Sequence, residues 1–360
     1  YKEKYKRDKE IRASLVAHHY LHSAEPSQAL PSLVSAVEYL VRDFRCEEAL
    51  NFANQGLDLL KDRPLSEEEK EQEWRLLIEK EKISELMNDH QTRSAVLENL
   101  LELALKENQP EEIALARNKI SWYAINMGKY EQAITKAQET LQMPEIKDTL
   151  FQADASRYLG LGQYNLGRYD EAEKCLREAL LLRKKLGDDY GEARDLSSLS
   201  TILWRHGEYE RAINLLKQSL KIRQDRGDLR GIAHDQNNLG LTYWSIGDLE
   251  AAKQYYQKAL EFYQQIGDRR NEGNAMSNLS LAILYQGNPK DAVQYARQAL
   301  ELSHKYDLFR LNINARIYLA KILLATQDRV FFPEIRSLLE TAISDSERTN
   351  YAQGAMEGKS

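Results

Sequence analysis

The stretch "NNLGLTYWSIGDLEAAKQYYQKAL", residues 237–260, reads as two short amphipathic helices folded about a Gly247-Asp248 turn. Its anchors return along the chain. Gly167, Gly207, Gly247 and Gly287 stand 40 residues apart, as do Leu159, Leu199, Leu239, Leu279 and Leu319, and Ala172, Ala212, Ala252 and Ala292. A second series, Gly187-Asp188, Gly227-Asp228 and Gly267-Asp268, punctuates the other end of the unit. Gly128 and Ala133 give an earlier copy at a spacing of 39. A fixed period of this size marks a repeat architecture. One hairpin cannot bury its own apolar face, and stacking several buries a continuous core.

Each anchor has a physical job. A glycine after a helix can take positive φ and close it. The acidic residue that often follows suits the next helix N-terminus, where the dipole favours negative charge. A small Ala early in the second helix lets two backbones approach. Leu and aromatic positions fill the space between hairpins, where burial is worth roughly 25 cal/mol per Å². The predicted fold is all-α: an α-solenoid of stacked antiparallel helical hairpins.

Leu239-Gly240, Tyr243, Ala252 and Tyr256 fall on the spacing W-x₂-L-G-x₂-Y, then A-x₃-F. The sequence therefore resembles the tetratricopeptide (TPR) repeat, and the resemblance implies that the hairpins wind as a right-handed superhelix. Two features depart from it. The unit has 40 residues where the family has about 34, so its helices are longer. The closing Pro is replaced by Gly-Asp. Long repeats of this kind are similar to those of the Pins/LGN-type adaptors, the kinesin light chains and bacterial signal-transduction ATPases. The stretch 15–60 resembles the start of the helical arm that follows the ATPase module in STAND-class signalling ATPases. That likeness carries no nucleotide-binding residue into this chain.

The pattern divides the chain into degenerate N-terminal helical repeats at 1–62 and an irregular helical repeat at 63–109. A regular array follows at 110–306, then capping helices at 307–344 and a flexible tail at 345–360. Pro64 stops one helix, and Ser66 with Glu69 makes a capping box for the next. Helices are expected at about 66–87, 91–106, 110–126, 308–326 and 331–344. The missing initiator Met reads as a fragment or a processed product.

Lys plus Arg number 50 against 56 Asp plus Glu, a net charge of −6. That balance argues against a general nucleic-acid binder, which needs a basic footprint. Cys46 and Cys175 alone imply no disulfide framework, and a reducing, cytoplasmic setting is the simplest reading. No run of about 18 apolar residues exists, so no membrane partner is expected.

Signals for chemistry are poor. His18 and His22 have an i,i+4 spacing on one helix, beside His19, without a further ligand in a recognised motif. "GAMEGKS" (354–360) has three residues between its glycines where a phosphate loop needs four. The expectation is no catalytic residue, no metal and no cofactor.

The candidate surface comes from the resemblance. In a TPR stack the first helices line the concave face, and positions five and two before the repeated Leu, and two, five and six after it, point inward. This implies a peptide site from Asn118 and Trp122; Arg157, Tyr164 and Asn165; Arg194, Trp204 and Arg205; His234, Asn237 and Trp244; and Asn274 with Tyr285. Aromatic and Arg residues dominate binding hot spots, and amides can satisfy a peptide backbone. Arg157, Arg194 and Arg205 have the chemistry to clamp a carboxylate, so the expected ligand is a protein or peptide segment with an acidic residue. The same rings also have the shape to pack between adjacent first helices, and the same Arg residues could pair with Asp154, Glu192 or Asp195; both alternatives stay open. The resemblance implies a non-enzymatic scaffold, the sensor or regulatory arm of a larger signalling ATPase. The other expectation is a free-standing adaptor that bridges partners or self-associates through its terminal repeats.

Overall fold

A computed structural model describes residues 26–61 and 63–348. These contain sixteen α-helices and no strand. The His18–His22 cluster and the 354–360 glycine segment lie outside the described residues. The chain divides into two compact units, Tyr1–Leu166 and Gly167–Ser360.

In the first unit, α1 (Leu30–Arg42) pairs with α2 (Cys46–Leu60), α3 (Glu67–Leu86) with α4 (His90–Lys106), and α5 (Pro110–Asn126) with α6 (Tyr130–Leu141). The last helix, α7 (Leu150–Asn165), packs on both α5 and α6. The capping box is formed at α3: the Glu69 amide donates to Ser66 Oγ at 3.3 Å, and the Ser66 amide donates to the Glu69 carboxylate at 2.9 Å.

In the second unit, α8 (Tyr169–Leu186) packs on α9 (Asp189–Arg205). Hairpins α9/α10 (Tyr209–Arg226), α11 (Leu229–Ser245)/α12 (Leu249–Ile266), α13 (Arg269–Tyr285)/α14 (Pro289–Lys305) and α15 (Phe309–Ala325)/α16 (Phe332–Arg348) follow. Each second helix also packs on the next first helix, so the hairpins stack. The fold is an α-solenoid of stacked helical hairpins, as the period implied.

The turn chemistry follows the repeat. Gly128, Gly167, Gly207, Gly247 and Gly287 have φ of 74–86°, the left-handed region that lets a helix end sharply. At the other turn, Asp188, Asp228 and Asp268 each accept from the backbone amide three residues on, capping α9, α11 and α13. The anchor residues Ala172, Ala212, Ala252 and Ala292 are wholly buried. Gly240 permits a close approach: a Cβ there would stand 2.6 Å from the Tyr256 ring.

The last helix runs to Arg348, past the expected limit of 344. Arg316 holds Asp345 at 2.9 Å and Ser346 is buried, so the final turn is tied to α15.

Candidate functional site

The repeat places one stripe of each first helix outside the hairpin core. In the second unit this stripe carries aromatic residues near the helix C-termini. The Trp204 indole N–H donates to Ser245 Oγ on the next first helix at 2.7 Å. Trp244 meets Tyr285 edge-on, with centroids 6.0 Å apart. Lys321 Nζ lies 5.7 Å from the Tyr285 ring centroid. Trp204 and Trp244 are half-buried and Tyr285 is half-exposed. Each ring therefore meets a side chain of the following repeat and stays partly exposed.

Nearer the helix N-termini the stripe is polar. His234 is exposed, and its Nδ1 lies 3.3 Å from Asn238 Nδ2 and 3.5 Å from Ser197 Oγ. The Asn278 amide donates to Asn237 Oδ1 at 3.1 Å, bracing α13 against α11. Asn274 is half-buried. Arg194 lies over the Tyr190 ring at 5.8 Å, and Arg205 over Trp204 at 5.1 Å.

In the first unit, Trp122 and Tyr158 form a tilted pair at 6.0 Å. Tyr164 is half-buried, and the exposed Asn165 amide donates to the Leu161 carbonyl at 2.8 Å.

Two expected surface residues are corrected. Asn118 is 3% exposed and Arg157 7% exposed. Arg157, Ser197 and Ser277, two before Leu159, Leu199 and Leu279, are buried, as is Asn118 two before Ile120, whereas Asn237 in the same register is half-buried. Asn118 faces the neighbouring first helix: its amide donates to the Phe151 carbonyl of α7 at 2.9 Å. The three-arginine clamp is not assembled either. Arg157 is buried, and Arg194 and Arg205 stand eleven residues apart on α9, roughly 16 Å along its axis.

Asp195 does not pair with Arg194. It is buried and takes the Arg183 Nε donor at 2.8 Å. One period on, Arg223 Nε lies 3.2 Å from the buried Asp235, which also accepts from Ser219. Sequence reasoning missed these pairs, although their signal was present: Arg183/Arg223, Gly191/Gly231 and Asp195/Asp235 all keep the 40-residue register.

A cavity of about 640 Å³ lies in the first unit between α2, α3 and α4, lined by Asn54, Lys61, Glu73, Leu77, Lys80 and Leu103 among others. Burial pushes the Lys80 ammonium down from its usual pKa and the Glu73 carboxyl up. The lining mixes both charge signs and carries no nucleophile–base pair. Among the described residues no group of three or more His, Cys, Asp or Glu could hold a metal ion, and no helix is long and apolar enough to cross a membrane.

A sequence model of the tetratricopeptide repeat matches residues 151–225 and 232–304. No curated protein matches the chain. Among solved structures, the chain is similar to the Signal Transduction ATPase with Numerous Domains (STAND) protein with a tetratricopeptide repeat sensor from Pyrococcus horikoshii. Identity is 18% and the TM-score 0.61, over 95% of this chain and 53% of that one. The chain thus spans about half the length of that protein. It is also similar to a Rap protein complexed with Competence and Sporulation Factor, at 14% identity and a TM-score of 0.59, over 93% of this chain and 96% of that one. Apo RapI matches at 15% identity and a TM-score of 0.61, over 89% and 86%. Likenesses at this identity show a shared fold. That fold is a scaffold for protein interaction, and no catalytic family is indicated. Residues 151–225 and 232–304 thus carry tetratricopeptide repeats, built from helical hairpins with a 40-residue unit.

Proposed function

We propose that this chain is a non-enzymatic, cytoplasmic scaffold that binds a protein or peptide segment along its first-helix face, as the regulatory arm of a larger signalling ATPase. The observation that carries the reading is the half-open aromatic row of Trp204, Trp244 and Tyr285, braced from repeat to repeat. Partly exposed rings braced by their neighbours lose little freedom on binding, which is how a preformed groove gains affinity. The arm role draws support from the fold likeness to a STAND protein with a TPR sensor, of which this chain spans about half. Peptide binding draws support from the similar Rap fold, whose structure holds Competence and Sporulation Factor.

A peptide array against the 360-residue chain tests the scaffold reading. The expected hits weaken with Trp244→Ala and with Arg194→Glu. An array with no hit sensitive to either substitution overturns it. The coding sequence upstream of Tyr1 tests the arm: a nucleotide-binding module there supports it, and an initiator Met directly before Tyr1 leaves only the adaptor role.

A further inference from the structure

Two charges on the wall of the first unit's cavity lack a counter-ion. Helix α3 packs on both α2 and α4 and lines that cavity of about 640 Å³ with Glu73, Leu77 and Lys80. Lys80 Nζ donates to the neutral Asn54 side-chain oxygen of α2 at 2.7 Å. Among the described residues, neither the Lys80 ammonium nor the Glu73 carboxylate has an ion-pair partner. The Lys61 ammonium, by contrast, is held by Asp58 at 2.5 Å. Both lone charges are half-buried. Burial drives the Lys80 pKa down; Lys61 adds to the fall and Asp58 opposes it. Burial drives the Glu73 pKa up; Lys106 opposes the rise and Glu107 adds to it. The two groups thus stand at different ends of the cavity, each among its own neighbours. A ligand group of opposite charge relieves the cost at either end.

Their placement selects a ligand. Opposite signs at two ends call for a zwitterion, because a dianion repels Glu73 and a dication repels Lys80. Seven residues separate Glu73 from Lys80 on α3, two turns or roughly 10.5 Å. Both side chains leave the helix tilted toward its N-terminus, which preserves that interval. An extended chain advances about 3.3–3.6 Å per residue, so three residues hold a free ammonium and a free carboxylate about 10 Å apart. Between the two charges the cavity is lined by Leu57, Leu77, Val96 and Leu103, with the Asn54 and Asn99 amides on facing helices. That lining suits apolar side chains on an amide backbone, and the volume falls in the range of small-ligand sites, about 300–1,000 Å³.

We propose that this cavity is a second binding site, taking an apolar peptide of about three residues with both termini free. Its carboxylate meets Lys80 beside Asn54, its ammonium meets Glu73, and its side chains cover Leu77 and the apolar residues around it. The site shares no residue with the first-helix face of the second unit, so it stands or falls apart from the scaffold reading above.

Isothermal titration calorimetry of the whole chain with trileucine tests this. Comparators on the unaltered chain are N-acetyl-trileucine, trileucine amide, dileucine and an ω-aminoalkanoate of matched length. Each is expected to bind about tenfold more weakly or worse, as befits the loss of a charge-assisted contact, the span or the backbone amides. Lys80→Gln should weaken trileucine about tenfold yet leave the amide form, which has no carboxylate, unchanged. Glu73→Gln should weaken trileucine and leave the acetylated form unchanged, with melting curves of both variants like that of the parent. Absence of trileucine binding, equal binding of any comparator, or variants that fail to match their termini overturns the proposal. Loss of trileucine binding in Trp204→Ala/Trp244→Ala also overturns it, by placing the peptide on the first-helix face and leaving the scaffold reading intact.

Discussion

Arg183 and Asp195 form an ion pair inside the helix stack, Nε donating to Oδ2 at 2.8 Å, with side chains 3% and 0% exposed. Arg183 also bonds Asp188, the N-cap of α9, so one guanidinium ties α8 to both the cap and the body of the next helix. Removing one partner strands a buried charge. Asp195→Ala is expected to lower stability by about 3–5 kcal/mol, whereas Arg183→Leu with Asp195→Leu should cost much less. Urea unfolding of both singles and the double measures the coupling; additive singles would refute it.

Glycines in this fold serve two separable ends. Gly207 has φ of +79° and nothing near the space a Cβ would fill, so Gly207→Ala pays only for backbone strain, about 1 kcal/mol. Gly240 is helical and faces the Tyr256 ring, so Gly240→Ala overpacks the interface and should cost about 1–3 kcal/mol. Gly207→Asn should recover part of the first loss, because Asn tolerates the left-handed region. The second loss should be recovered by a smaller residue at Tyr256. Thermal unfolding of the four variants checks the pattern.

The Arg63 guanidinium and the Ser66 amide hold the Glu69 carboxyl far below its usual 4.5, at about 2. A depressed carboxylate pKa means the folded state favours the ionised form. Its stabilising contribution is present above pH 4.5 and is lost as pH falls toward 2. Glu69→Gln should therefore flatten the pH dependence of stability across that window and leave its slope near neutrality unchanged. An unaltered acid limb in urea titrations at stepped pH would count against the capping assignment.

Burial pushes the Cys175 thiol up from its usual pKa. Less thiolate means slower alkylation. Iodoacetamide at pH 8 is expected to label Cys175 several-fold more slowly in the native chain than in urea, read by mass spectrometry. Equal rates would place the thiol in open solvent.

Trp204 and Trp244 report directly on the proposed groove. Ligand on the first-helix face should shift their emission to the blue, because each ring is still partly exposed. Trp204→Phe with Trp244→Phe should remove that shift while leaving Trp74 and Trp122 emission unchanged. A shift that persists in the double variant would put the ligand elsewhere.

Much of the fold was legible in the chain itself. A 40-residue period specifies a hairpin that must stack, and its glycines, Asp caps and buried alanines are local requirements written into single positions. The Ser66–Glu69 capping box was equally readable, because it closes within four residues. What tertiary packing alone decided is which side of each first helix remains open. Asn118 bonds the backbone of α7 and Arg157 is buried, so groups with surface chemistry became interior ones. The Arg183–Asp195 pair likewise depends on two helices meeting across a turn. Periodicity along one helix fixes the angle at which a side chain leaves the axis; whether it meets water or another backbone is set by the helix that packs there, and no local pattern carries that distance.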